Sequence, residues 1–330
     1  MPKKHQPRFG SMQVWPRKRA KRATARVRSW PVEKFASDAR PLGFPVYKAG
    51  MTHVMVTEQK KTSHLKGETL QVPVTVLECP PLKIFGVRGY VREGYGLRVA
   101  KEVLFRTDKL LDRRVEVKKG ASVKDVEALD PASFAFFTIL VHTQPKLTGF
   151  GKKTPDVAEL RLGGGPAEQL AYIKEHLTTP LSVGEVFKEG DVVDAHAVTK
   201  GKGFQGPVKR FGIGLKHHKS EKGRRVPGSL GPWSGQGHIM YRVAQAGQTG
   251  FHTRTQFNNI IYKIADNPAD VNPKGGFVGY GFVQGPYLLV RGSVQGPKKR
   301  LITLTHAQRT MQKKPEHVVV AVSVESQQGV

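Results

Sequence analysis

Between residues 199 and 256 the chain carries twelve glycines, eleven Lys or Arg, one acid (Glu221) and few aliphatic side chains. Such a segment cannot bury enough apolar surface to offset the entropy of ordering its backbone. Yet it is flanked by strand-like stretches, "GDVVDAHAVTK" before it and "IIYKIA" after it. A structureless connection of this length inside a compact domain is uncommon. The segment is therefore expected to project from a folded body and be ordered by a partner. A glycine-rich backbone approaches phosphates closely, and the cations supply counter-charge.

A second window has the same character. Residues 1–32 hold ten Lys or Arg and no acid, and together the two segments carry most of the formal net charge of +28. Phe9, Trp15 and Trp30 are interleaved with these cations. A tail that only solubilises has no use for rings, whereas RNA offers bases to stack on. By contrast, residues 112–198 contain eleven basic and thirteen acidic residues, the balance of an ordinary folded module. A membrane surface is disfavoured as the acidic partner, because the longest apolar run, "FAFFTILV" at 134–141, is far below the roughly 18 residues of a span. The N-terminus lacks the apolar stretch of a signal peptide, and the single cysteine, Cys79, cannot form an intrachain disulfide. A cytoplasmic location is expected.

The rest of the chain reads as β-rich. "FPVYKAGMTHVMVT", "LQVPVTVLEC" and "LKIFGVRGYV" are short β-branched runs separated by turn residues, as antiparallel strands require. Residues 100–190 mix signals and read as an α/β insertion. Ser122 with Asp125 three residues later starts one helix, "FFTILVH" is a buried strand, and Pro166 starts a helix running to about His176. After the glycine-rich segment, "IIYKIA", "GGFVGYGFV", "GPYLLVRGSV", "RLITLTH" and "HVVVAVSV" are read as strands. A β-barrel or sandwich interrupted by insertions fits.

Catalytic and cofactor motifs fail on inspection. "GKGFQG", with Gly201, Gly203 and Gly206, matches a dinucleotide fingerprint, but Pro207, Gly212 and Gly214 leave no room for the continuous helix that must follow. "GFGKKT" at 149–154 has Lys146 where a P-loop needs its first glycine and Lys153 where it needs Ser or Thr. His217, His218, His238 and His252 lie in basic surroundings with no cysteine or acid pair to complete a metal site. No G-x-S-x-G elbow or other local nucleophile signature appears, and the most polar segments lack the paired carboxylates that acid and base work needs. No cofactor, metal, small-molecule substrate or catalysis is expected. Trp233, within "RRVPGSLGPWSGQG", stands among glycines, prolines and cations where no core exists, which suits a tip residue packing on RNA.

Four segments in order, "VTKGKGFQGPVKR", "RRVPGSLGPW", "AQAGQTGFHTRTQ" and "LLVRGSVQGPKKRLI", resemble the large-subunit ribosomal proteins of the L-three family. "PRKRAKRATARVRSWP" and "GFPVYKAGMTHV" are similar to its archaeal and eukaryotic branch. The resemblance spans nearly the whole chain. It implies a mainly β fold, a closed Greek-key barrel of the translation-protein type, with an α/β insertion and two long basic extensions. On that division residues 1–42 are the N-terminal extension, 43–99 the first part of the barrel, 100–183 the insertion, 184–200 a barrel strand, 201–256 the central finger and 257–330 the remainder of the barrel.

The resemblance also implies a structural constituent of the large ribosomal subunit in the cytoplasm. Its partners would be ribosomal RNA and neighbouring ribosomal proteins, with a role in early assembly and a finger reaching toward the peptidyl transferase centre. The expected RNA-binding residues in the N-terminal arm are Arg17, Lys18, Arg19, Lys21, Arg22, Arg26 and Arg28. At the base of the finger and along it they are Lys200, Lys202, Lys209, Arg210, Arg224, Arg225, Trp233, Gln248, His252 and Arg254. The tip departs from the eukaryotic pattern, with Ser234-Gly235 where His-Pro is usual, and Ser234 stands where bacterial members carry a methylated glutamine. A DNA-binding protein would share the charge, but no basic recognition helix or dimer signature is visible. An RNA-modifying enzyme would show turnover on a model RNA.

Overall fold

The computed structural model describes residues 11–60, 62–117, 120–231, 237–309 and 317–326. Trp233 and Ser234 lie outside them. The chain divides into two compact units, Thr24–Ala197 with Thr255–Val330, and Met1–Ala23 with Val198–Arg254. The first is the β-rich body.

The body begins with β1 (Gly43–Glu58), β2 (Thr69–Glu78), β3 (Lys83–Glu93) and β4 (Gly96–Leu104). Helix α1 (Val123–Glu127), strands β5 (Phe136–His142) and β6 (Val157–Arg161), and helices α2 (Pro166–His176) and α3 (Val183–Val186) follow. Next come β7 (Val192–Val198), β8 (Phe204–Gln205), helix α4 (Pro207–Phe211) and β9 (Gly247–Gln248). The chain closes with β10 (Thr253–Ala265), β11 (Tyr287–Arg291), β12 (Leu301–His306) and β13 (His317–Val322).

One seven-stranded sheet has the order β12-β7-β10-β11-β2-β1-β13, and β12 pairs with β1 as well. The first residues of β1, from Gly43 opposite Thr305 to Tyr47 opposite Leu301, take β12, while residues 54–58 take β13. Against β2, the register of β1 shifts between Lys48 and Gly50. A bulge of this kind bends a strand and increases its twist. Gly50 is required beside it, because a Cβ there would lie 2.5 Å from the Phe277 ring. Leu77, Ala195, Leu288 and Ile302 from these strands join one continuous core with Val87, Ile139 and Leu160 of a second sheet.

That second sheet has the order β4-β3-β5-β6. The sequence reading put residues 83–99 with the first part of the barrel, whereas strand pairing puts β3 and β4 with β5 and β6. A β-branched run marks a strand but not its partner, which is chosen by contacts distant in sequence. β5 is buried along its whole length, as its largely apolar sequence requires, and Thr138 and His142 are buried with it. Helix α2 lies against it, and Gln169 of α2 is fully used in the seal. Its Oε1 accepts from Phe137 N at 2.7 Å, and its Nε2 reaches the carbonyls of Gly163 and Gly164 at 3.0 and 2.9 Å. The start of α2 is set by Pro166 in the first turn and by Glu168, which accepts from Gly165 N–H at 2.9 Å. At α1, Asp125 accepts from Ser122 N–H at 2.7 Å.

Residues 275–283, read from sequence as a strand, form turns with one bridge between Phe277 and Gly281. Gly276, Gly279 and Gly281 sit at φ 68°, 72° and 106°, which breaks the alternation a strand needs. The loop is anchored instead by Tyr280, whose hydroxyl donates to the buried Glu78 carboxylate. Glu78 also accepts from the backbone N–H groups of Gln284 and Gly285, at 2.7 and 3.2 Å. No helix among the described residues is long and apolar enough to cross a membrane.

Candidate nucleic-acid interface

The smaller unit, Met1–Ala23 with Val198–Arg254, contains 19 Lys or Arg and one acid. Its backbone is organised by a narrow antiparallel ladder. β8 and β9 pair Phe204 with Gln248 and Gln205 with Gly247. Lys202 N donates to Thr249 O at 2.9 Å, Thr249 N to Gly203 O at 2.8 Å, and Thr199 N to His252 O at 2.9 Å. Gly250 is indispensable here, since a Cβ would fall 2.0 Å from Lys200 O and its φ of 71° is left-handed. Phe251 follows at φ 53°, a conformation unfavourable for a ring-bearing residue. The glycine-rich segment is therefore not structureless as expected. Pro207 opens α4 directly after "GKGFQG", and Gly212, at φ 66°, ends it after five residues, too short for the helix of a dinucleotide site.

The N-terminal segment runs along this ladder. Ala20 N donates to Phe251 O at 2.8 Å, and His252 Nδ1 donates to Lys18 O at 2.9 Å. Arg210 ties the pieces together. Its guanidinium donates to Arg17 O at 3.0 Å, Gln245 O at 2.8 Å and Gln248 O at 3.0 Å. Arg17 lies over the Phe211 ring at 4.4 Å, and Trp15 packs on the same ring at 5.5 Å. Trp15 also meets Tyr241 edge-on at 6.4 Å.

Basic groups thus crowd one another. Burial lowers the pKa of Arg210 and of Arg254, and neighbouring Arg17 lowers both further. Burial also holds His252 below its ordinary value against the opposing bond to Lys18 O, and Arg254, Arg17 and Arg210 add to the depression. His252 is a buried hydrogen-bond donor to the N-terminal segment rather than an exposed side chain.

Of the expected site residues, Lys18, Arg19, Lys21, Arg22, Lys200, Lys202, Lys209, Arg224 and Arg225 are exposed on this unit. Arg17, Arg210, Gln248 and Arg254 are half-buried, and His252 is buried. Gln248 turns its amide inward to the carbonyls of Thr249 and Gly250. Arg26 and Arg28 are exposed on the body. The aromatics interleaved with the arm divide differently than expected. Phe9 lies outside the described residues, and Trp30 packs against the body's core, its ring 3.0 Å from where a Cβ on Gly43 would stand. Phe211 and Tyr241 escaped the sequence reading, although rings among cations were the signal that drew attention to Trp15. No cluster of His, Cys, Asp or Glu among the described residues could hold a metal ion.

A mixed-charge β body joined to a small unit almost without acids has the layout of a ribonucleoprotein component. The chain belongs to the ribosomal protein L3 family, whose model matches residues 1–329. It is 44% identical to the large ribosomal subunit protein uL3 of Methanococcus vannielii and 46% identical to that of Archaeoglobus fulgidus, over 99% of each chain. The uL3 of Methanocaldococcus jannaschii matches at 42% over 98% of each chain. The family is one of ribosomal proteins, not of enzymes.

Proposed function

We propose that this protein is a structural constituent of the large ribosomal subunit that docks on ribosomal RNA chiefly through its small basic unit. The observation that carries the reading is the ratio of 19 basic residues to one acid in Met1–Ala23 and Val198–Arg254. The exposed Lys18, Arg19, Lys21, Arg22, Lys200, Lys202, Lys209, Arg224 and Arg225 act as phosphate contacts, with Arg26 and Arg28 extending the track on the body. Half-buried Arg17, Arg210 and Arg254 hold the unit in shape and add to its field, while Gln248 and His252 brace it through hydrogen bonds.

The ring of pairings from β1 through β2, β11, β10, β7 and β12 back to β1 supports a closed barrel of Greek-key type as the rigid platform. Residues 201–256 then form a finger whose tip, with Trp233, reaches toward the peptidyl transferase centre, and early binding of the basic unit supports subunit assembly. Neighbouring ribosomal proteins are the remaining partners.

The test is the salt dependence of binding to large-subunit RNA. Six phosphate contacts, at roughly 0.7 per contact for single strands, give a slope of log K against log salt of about −4. A slope near zero refutes the reading. Sedimentation of lysate should place the chain with large subunits, and a free cytosolic pool alone argues against it.

A further inference from the structure

A cleft of about 530 Å³ opens in the basic unit, lined by Met12, Trp15, Arg17, Arg210, Phe211 and Tyr241. Its size falls within the ~300–1,000 Å³ typical of small-ligand sites. Three aromatic rings converge on it, yet they do not close over the space. Trp15 stands tilted at 35° to Phe211 and nearly perpendicular, at 80°, to Tyr241. Tyr241 is 70% exposed and Met12 36%. Rings that served only as packing would collapse together and remove this apolar area from water. Two guanidinium groups sit against the Phe211 face, at 4.4 and 5.0 Å, and Lys18 and Arg19 follow in the chain.

We propose that the cleft receives one unpaired nucleobase of the bound RNA, which stacks on the exposed Tyr241 ring with its edge against Trp15 while its flanking phosphate meets Arg17 and Lys18. The proposal rests on the RNA-binding reading. Flat π faces accept any base, so the site holds a splayed-out nucleotide without reading its identity. The scarcity of carboxylates excludes a cationic ligand, and an uncharged apolar ligand would have no use for the guanidinium rim. The cleft would add a fixed anchor to an otherwise diffuse electrostatic contact, because it demands a base at one point along the strand.

The experiment uses the full chain labelled with 5-fluorotryptophan, whose three tryptophan resonances are resolved by fluorine NMR and assigned with Trp15→Phe. It is titrated with a short single-stranded RNA and with a matched oligomer of abasic riboses, equal in charge. The expected result is a shift of the Trp15 resonance with the base-bearing RNA and none with the abasic oligomer. Tyr241→Ala should weaken binding of the base-bearing RNA about 5- to 150-fold, the range for loss of one stacked base, and leave the abasic oligomer unaffected. Tyr241→Phe should retain most of the affinity. If both oligomers bind alike, whether Trp15 stays fixed or moves equally with each, the cleft takes no base, and the electrostatic reading stands without it. If neither oligomer binds, the RNA-binding reading itself falls.

Discussion

In the body, Arg88 lies between two carboxylates, Glu102 at 2.6 Å and Glu159 at 2.9 Å, and Arg106 meets Asp112 at 3.1 Å. In the basic unit, Arg210 is held by the carbonyls of Arg17, Gln245 and Gln248 and by the Phe211 ring. Both arginines are fixed, but carboxylates neutralise the first and carbonyls leave the second with its full charge. The body uses arginine to complete its surface. The basic unit uses it as internal bracing that still projects a positive field, and one acid among its residues could not neutralise the rest.

The largest test of this contrast is to divide the units. A chain lacking residues 1–23, with 204–248 replaced by a short turn, keeps every strand of the two larger sheets. It should unfold cooperatively by circular dichroism while its salt slope with RNA collapses from about −4 toward zero. Loss of the strand signal would mean that the basic unit belongs to the core.

The two tryptophans of the N-terminal region sharpen the boundary. Trp30→Ala should cost the body at most about 3 kcal/mol, the lower end for a fully buried aromatic, since the half-buried ring packs on the core over Gly43. Trp15→Ala should leave the body's denaturant midpoint unchanged, because its partners Phe211 and Tyr241 belong to the basic unit. Equal effects in chemical denaturation would erase the distinction.

Acid should act on the body through His306, buried and pushed down to about 4 by burial and by the charge of Arg40. Its folded value lies below the unfolded one, so the unfolded chain takes up a proton first. The stability is complete above about 6.5 and is lost as pH falls toward 4, a contribution of about 3 kcal/mol. Urea midpoints of the wild type and His306→Gln, compared at pH 7.5 and 4.5, should converge at the acid end.

The smallest expected effect on assembly is at Trp233, the residue proposed for the finger tip. Stacking is worth about 1–3 kcal/mol, so Trp233→Ala should leave subunit yield nearly normal, given the many phosphate contacts elsewhere. The defect should appear in peptidyl transfer and in the chemical reactivity of nearby bases. Reduced yield with normal transfer would make Trp233 a packing residue.

What the residues declared in advance was local. The buried strand β5, the Pro166 start of α2 and the Ser122–Asp125 cap each involve groups within a few positions, and each stands where the pattern put it. The 275–283 segment misled because bulky residues spaced by glycine look like an alternating strand until the glycines take left-handed φ. Pairing of β3 with β5 joins residues about fifty positions apart, and no local signal specifies it. At the interface, the cations were legible from composition alone. That Arg210 braces Arg17, and that His252 turns inward to Lys18, depends on contacts spanning 193 and 234 positions.

Those spans set an order of events during synthesis. Residues 17–20 are made before their partners: the carbonyl of Phe251 that receives Ala20, and the His252 ring that donates to Lys18, come some 230 residues later. At ~5–20 residues per second, the arm waits roughly 12 to 46 s for its partners. Throughout that interval it is a cationic strand with no docking groove on its own chain, open to any polyanion it meets. The interval ends only when residue 252 is free to fold back, which makes the return of residues 247–252 the step that commits residues 17–20 to their place.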